Sequence, residues 1–323
     1  MTKLLWLFLT CAFPLAAIAQ TQSDVDDVLR ISTRLVTVPV VVKTKEGAYI
    51  PHLTMRDFRV YEDGVEQNIS HFEDVDQPFT ITMMLDMSDS TRVKLEDIQN
   101  AAIAFLDQLK PHDRAVIVAF DSQVVRLTEV TGDRKILSQA IRGIITGRGT
   151  ALYDGVDWVI NSYLPAVPGR KAIVLLTDGI DTASFRTTFE NTIGLANEQY
   201  ALIYPIQWNT PEDYRPKHLS STDAVHNVLY TTPSGEPLQK AFERGSRYLQ
   251  GIARLSGGRF QHAKSLSDLQ QSFAKIADEL RHQYTVSYYP SSRAAASRKR
   301  KIKVTVSRPD ARLHFRETYT QAK

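Results

Sequence analysis

Apolar positions along the chain follow two different patterns. Unbroken apolar runs at 79–85, 115–120, 172–177 and 201–207 alternate with stretches whose apolar residues recur at helical spacing, the clearest being Leu95, Ile98, Ala102, Phe105, Leu106 and Leu109. The same spacing predicts helices over 135–144, 152–163, 187–198, 238–255 and 266–281, a hairpin partner strand over 123–127 and a last strand over 283–289. Strands that lack polar alternation suit burial on both faces. The prediction is an α/β fold with a doubly wound, largely parallel, Rossmann-like sheet.

Before and after this region the pattern is β-like and more polar. Residues 35–43 are β-branched, with Pro39 suggesting an edge strand. Residues 57–61 and 65–70 flank Asp63-Gly64 as a hairpin. Near the C-terminus, residues 301–307 alternate, Pro309-Asp310 turns, and 313–319 can return as one further strand. Neither end has enough strands for an independent sheet, so the two are expected to pair into a small β-sandwich with the α/β region inserted in it. The expected divisions are 1–19, 20–76 (N-terminal strands), 77–290 (α/β domain, with an inserted loop at 209–237) and 291–323 (C-terminal strands).

Composition changes this picture at one place. Lys3, the apolar stretch 4–13 and Ala17-Ile-Ala19 have the order of a secretory signal peptide, which predicts cleavage after residue 19 and a secreted or periplasmic protein. The single cysteine, Cys11, lies inside that segment, so the mature chain would be held by its core and not by disulfides. The formal charge of +3 over 323 residues offers no general argument for nucleic acid, and none is expected as a partner. The exception is the run Arg298, Lys299, Arg300 and Lys301, a solvated loop or a contact for an anionic envelope surface.

Candidate chemistry concentrates at the ends of two apolar runs. Asp86, Ser88 and Ser90 follow the run at 79–85, Thr150 lies in the loop before a predicted helix, and Asp178 ends the run at 172–177. In α/β sheets, ligands bind beyond such strand ends. Hydroxyls with two carboxylates suit Mg²⁺, or Mn²⁺, hard ions that take oxygen ligands and keep several waters. Ser88, Ser90 and Thr150 are expected to touch the metal directly or through water, with Asp86 and Asp178 mainly holding coordinated waters. A position would remain for a partner's carboxylate. Helix capping by Ser and Asp is the competing explanation, and it accounts for single residues but not for the set. Asp89 and Asp181 are expected to be loop or supporting groups, and Asp154 to serve the first turn of its own helix.

The Asp-x-Ser-x-Ser run, the Gly149-Thr-Ala-Leu-Tyr-Asp154 stretch and Leu176-Thr-Asp-Gly179 resemble a von Willebrand factor A domain with its metal-ion-dependent adhesion site. The flanking Asp57-Phe-x-Val-x-Glu-Asp-Gly64 and Tyr284-x-Val-x-Tyr-Tyr-Pro290 segments resemble the acidobacterial type of exported protein containing this domain. The resemblance implies an exported, non-enzymatic binding protein that engages a protein ligand through an Asp or Glu side chain. Two other readings stay open: a structural envelope protein stiffened by its metal, and a metal-dependent hydrolase. The eight dispersed histidines form no His-Glu-x-x-His pattern, and no nucleophile elbow or Walker loop occurs.

Overall fold

Strands β1 (Val36–Lys43), β2 (Phe58–Glu62), β3 (Val65–Gln67) and β4 (Ile69–Glu73) come first. The α/β region follows as β5 (Phe79–Asp86), α1 (Leu95–Asp107), β6 (Arg114–Phe120), β7 (Val124–Arg126), α2 (Arg134–Arg142), α3 (Leu152–Trp158), β8 (Arg170–Thr177), α4 (Phe189–Glu198), β9 (Leu202–Trp208), α5 (Leu238–Ser256), β10 (Gln261–Ala263) and α6 (Leu266–Arg281). Strands β11 (Gln283–Tyr288), β12 (Lys299–Val306), β13 (Arg312–His314) and β14 (Thr318–Thr320) close the chain. The computed structural model describes residues 35–75, 77–198, 201–208, 231–291 and 299–320, without the side chains of Ser90 and Val93. The expected signal peptide, most of the 209–237 insertion and Arg298 lie outside the described residues.

The central sheet runs β10-β9-β8-β5-β6-β7, parallel throughout except for the antiparallel edge strand β7. Alternate residues of each run enter two different cores, which explains the absence of polar alternation. Ile81, Met83 and Leu85 of β5 pack with Phe105 of α1 and Phe273 and Ile276 of α6. Met84 joins Leu152 and Val156 of α3 and Tyr248, Leu249 and Ile252 of α5 on the opposite face. The helix expected over 152–163 changes to a π turn at Val159–Tyr163. Because β6 lies on one side of β5 and β8 on the other, the strand order reverses at β5. The crevice this opens is at the C-terminal ends of β5 and β8.

Strands from both chain ends build two antiparallel sheets, β13-β1-β11-β4 and β14-β12-β2-β3, around one shared core of Val36, Val38, Val40, Val60, Tyr284, Val286, Tyr288 and Ile302. Four expectations change here. Residues 65–70 split at Asn68, β3 pairing with β2 and β4 with β11, because the chain crosses between sheets. Residues 313–319 likewise divide into β13 and β14 in different sheets. Gln283–Tyr288 pairs with β1 and β4, not with the central sheet, so the α/β region ends with α6 and not at residue 290. Pro39 sits on an interior strand, but β13 covers only Val41–Lys43, leaving Pro39 past the end of that ladder. Its missing N–H therefore costs no sheet hydrogen bond on that side.

A buried ionic cluster lies in the sandwich core. Tyr288 and Tyr319 each donate a hydroxyl hydrogen bond of 2.8 Å to Glu62 Oε2, and Arg300 Nη1 is 3.2 Å from Glu62 Oε1 and 3.0 Å from Asp63 Oδ2. Strand alternation turns Arg300 inward while Lys299 and Lys301 stay exposed. This corrects the expected basic surface run, from which Arg300 is removed.

The chain enters and leaves the α/β region at one place, and Arg170 fastens it there. Its guanidinium donates to the carbonyls of Gln77 at 3.4 Å, Leu280 at 3.2 Å and Gln283 at 2.9 Å. At the C-terminal end of α5, the 314–316 crossing packs against two glycines. A Cβ on Gly257 would lie 2.9 Å from Arg316 N, and one on Gly258 would lie 2.0 Å from Ile203 O. His314 Nε2 sits 3.3 Å from Gly258 O, and burial lowers the pKa of the imidazole.

Replacing Glu62 with Ala is expected to cost about 2 kcal/mol or more in urea unfolding, because two buried phenol hydroxyls lose this acceptor and Arg300 loses one of its carboxylate partners while keeping Asp63. Removing the exposed Arg59–Glu66 pair of 2.8 Å should cost less than about 1 kcal/mol. His314 gives a pH signature. The unfolded chain takes up a proton near pH 6.5 while the folded chain resists it, so stability should fall as pH drops below that value. His314→Gln should flatten this decline in midpoints measured from pH 7 to 5.

Candidate functional site

The C-terminal end of β5 delivers Asp86 into the crevice with its side chain buried. One carboxylate oxygen accepts the Ser88 amide at 3.0 Å, and the other accepts the Thr177 hydroxyl at 2.6 Å. Thr177 in turn accepts the Gly179 amide at 3.0 Å. Asp178, equally buried, accepts the Ile180 amide at 2.8 Å, while Gln207 of β9 donates to the Asp178 carbonyl at 2.8 Å. Burial first, and then the neighbouring charge of Asp178, hold the Asp86 pKa well above the usual carboxylate range, against the downward pull of Thr177 and Ser88.

Ser88 precedes the short 3₁₀ helix Asp89–Lys94, which contains Ser90. The Ser90 side chain lies outside the described residues. Ser88 is buried, and its carbonyl accepts from the Thr91 hydroxyl at 2.7 Å. Asp89 is exposed and pairs with Arg92.

The Thr150 loop is joined to both neighbours. Gly147 N donates to Met87 O at 2.8 Å, and Ala151 N donates to Asp121 O at 2.6 Å. Gly147 lets the Asp121 carboxylate approach closely, since a Cβ there would lie 1.7 Å from Asp121 Oδ2 and would force that side chain to move. Gly149 takes the left-handed conformation at φ +73, placing the buried Thr150 just before α3. The Thr150 amide donates to Thr182 Oγ1 at 2.9 Å, and its carbonyl accepts from Thr182 and Ala183.

Two acids sew the Thr150 helix to the segment after Asp178, Asp181 as the supporting group expected and Asp154 in a different role from the one expected. Asp181 accepts the Tyr153 amide at 3.3 Å and the Ser184 hydroxyl at 2.5 Å, so it caps α3 from outside. Asp154 does not serve its own helix. Its carboxylate turns across to accept the amides of Phe185, Arg186 and Thr187 at 3.1 Å each. Both are positioning groups.

The structure thus brings Asp86, Ser88, Thr150 and Asp178 onto loops that bond to one another at one sheet edge. Sequence reasoning missed the part of Thr177, although it stands inside the Leu-Thr-Asp-Gly motif, and that of Asp121, for which no local signal exists. Among the described residues no group of three His, Cys, Asp or Glu side chains gathers, here or elsewhere. The donors available to a cation are two carboxylates supplemented by neutral hydroxyls, which fits a hard divalent ion that retains water. No helix of the described residues is long and apolar enough to cross a membrane.

Residues 81–180 match the family model of the von Willebrand factor type A domain. Among solved structures, the chain is similar to the conserved hypothetical protein BatB from Bacteroides thetaiotaomicron, at 17% identity over 62% of this chain and 100% of that one, with a TM-score of 0.44. It is also similar to a von Willebrand factor type A protein from Catenulispora acidiphila, at 12% identity over 83% and 74% of the two chains, TM-score 0.48. A third is proximal thread matrix protein 1 from the mussel byssus with a zinc-occupied MIDAS motif, at 16% identity over 66% and 47%, TM-score 0.46. No curated protein matches the chain.

The buried carboxylate pair repels itself when no cation is supplied. Asp86→Asn is therefore expected to raise the thermal midpoint in EDTA, by a few degrees for each kcal/mol of repulsion relieved. Differential scanning fluorimetry of both proteins checks this, and a lower midpoint for the variant would contradict it.

Proposed function

We propose that the von Willebrand factor type A domain carried by this chain is an Mg²⁺-dependent binding site for a carboxylate of a protein ligand, in an exported protein that does no chemistry on that ligand. The observation that carries this reading is the side-by-side burial of Asp86 and Asp178, with the Asp86 pKa raised by burial and by its neighbour. Two negative charges balance one divalent ion. With Ser88, Ser90 and Thr150 supplying neutral oxygens, the ion stays electron-poor and an incoming Asp or Glu side chain completes its shell. Mn²⁺ meets the same requirements.

The surrounding residues favour binding over turnover. Asp154 and Asp181, the nearby acids, are committed to backbone amides and a serine hydroxyl, so neither is poised as a general base. Export follows from the segment 1–19 read as a cleaved signal peptide, and the sandwich built by the chain ends would serve as the mount for the binding domain.

Calorimetric titration with MgCl₂ should give a saturable heat that is lost in Asp178→Ala. Wild-type protein immobilised in Mg²⁺ should retain envelope proteins that are released by EDTA and not retained by the variant. Equal retention under all three conditions would remove the reading.

A further inference from the structure

The two most exposed large apolar side chains among the described residues are Ile145, at 83%, and Phe185, at 78%. Both stand on the loops that carry the candidate site, Ile145 five positions before Thr150 and Phe185 seven positions after Asp178. A scattered exposed apolar residue needs no explanation. Two that exceed all others and stand on hydrogen-bonded loops of the same site do.

The loops beneath them are well braced. The Thr150 amide and carbonyl bond to residues 182 and 183, a Cβ on Gly149 would lie 3.1 Å from Ala183 Cβ, and the Phe185 amide is held by Asp154. Ile145 is flanked by Ile144, whose carbonyl accepts from Gln99 at 3.3 Å, and Gly147, whose amide donates to Met87 O at 2.8 Å, so both apolar residues stand on hydrogen-bonded backbone that a partner would cover at little entropic cost.

Two exposed cations, Arg148 and Arg186, stand on the same loops. Their side chains have no carboxylate partner among the described residues, with the Arg186 guanidinium 5.3 Å from the Phe185 ring centroid. Of the acids on these loops, Asp121, Asp154 and Asp181 accept backbone amides and Asp89 pairs with Arg92. Exposed apolar side chains with free guanidinium groups complement a surface of opposite charge.

From this we infer that the partner's metal-binding carboxylate belongs to a protein segment in which it is flanked by large apolar side chains that cover Ile145 and Phe185, and accompanied by a second acidic residue that meets Arg148 or Arg186. The inference rests on the metal-dependent reading above and adds the partner's chemistry to it. Ile145 and Phe185 act as the apolar anchors, and the two arginines set approach and salt dependence.

The test uses labelled ten-residue peptides and the full chain in Mg²⁺. The first has a central Glu flanked by Leu on both sides with an Asp nearby, the second replaces both Leu by Ser, and the third replaces the Glu by Gln. The first should bind about tenfold or more tighter than the second. The double substitution Ile145→Ser with Phe185→Ser should erase that difference while leaving the Mg²⁺ calorimetric heat unchanged. Arg148→Gln with Arg186→Gln should weaken binding and reduce its salt dependence. Equal affinity for the first two peptides, indifference to the Ile145 and Phe185 substitutions, or no binding of the first peptide overturns this inference and leaves the metal site standing. Binding that persists in EDTA, or with the Gln peptide, defeats the metal reading itself.

Discussion

Holding two carboxylates next to each other away from water is the constraint around which this molecule is arranged. Asp86 and Asp178 sit at the ends of adjacent parallel strands that are buried on both faces, so neither can turn toward solvent. Their charge is met by local dipoles: the amides of Ser88 and Ile180 and the hydroxyl of Thr177. Burial and the neighbouring charge of Asp178 still raise the cost of ionising Asp86. Stability is given up at this edge and supplied by the two cores that the same strands build on either face.

The loops around the pair are held by exchange of caps. Asp181 serves the start of α3, and Asp154 of α3 serves the segment after Asp181, so the Thr150 and Asp178 loops cannot separate without exposing both sets of amides. Glycines make the close approaches possible. Gly179 and Gly245 bring α5 onto the site loop with no room for a side chain, since a Cβ on Gly245 would lie 2.4 Å from Gly179 O. Rigid support beneath a polar crevice is what recognition requires, because a preordered site spends less of its interaction energy on ordering itself.

Away from the crevice, the sandwich solves a different problem. Each chain end alone offers too little apolar surface, and together they bury Val38, Val60, Tyr284 and Val286 in one core. Arg170 ties the entering and leaving segments through three carbonyls, and Glu62 with Arg300 places a buried ion pair beside the core. The entry and exit points lie near the N-terminal end of β8, at the opposite end of that strand from Asp178. The site loops are thereby left clear of the mount.

Hydrophobic periodicity by itself showed five strands of the central sheet and its helices, but not the short edge strand β10, because strands buried on both faces and helices buried on one leave different repeats while three residues leave none. The convergence of the candidate residues was legible in part, since Asp86, Ser88 and Asp178 lie at strand ends in sequence, whereas Thr150 precedes a helix. The sequence did not reveal where short strands change sheets, as at Asn68 and at 315–317, because strand propensity is blind to which neighbour pairs with it. Nor could it tell that Arg300 in a basic run faces inward to Glu62, that Asp154 reaches across to 185–187, or that Asp121 braces the Thr150 loop. Each of these depends on partners distant in the chain, and only the packed structure decides which buried polar group meets which.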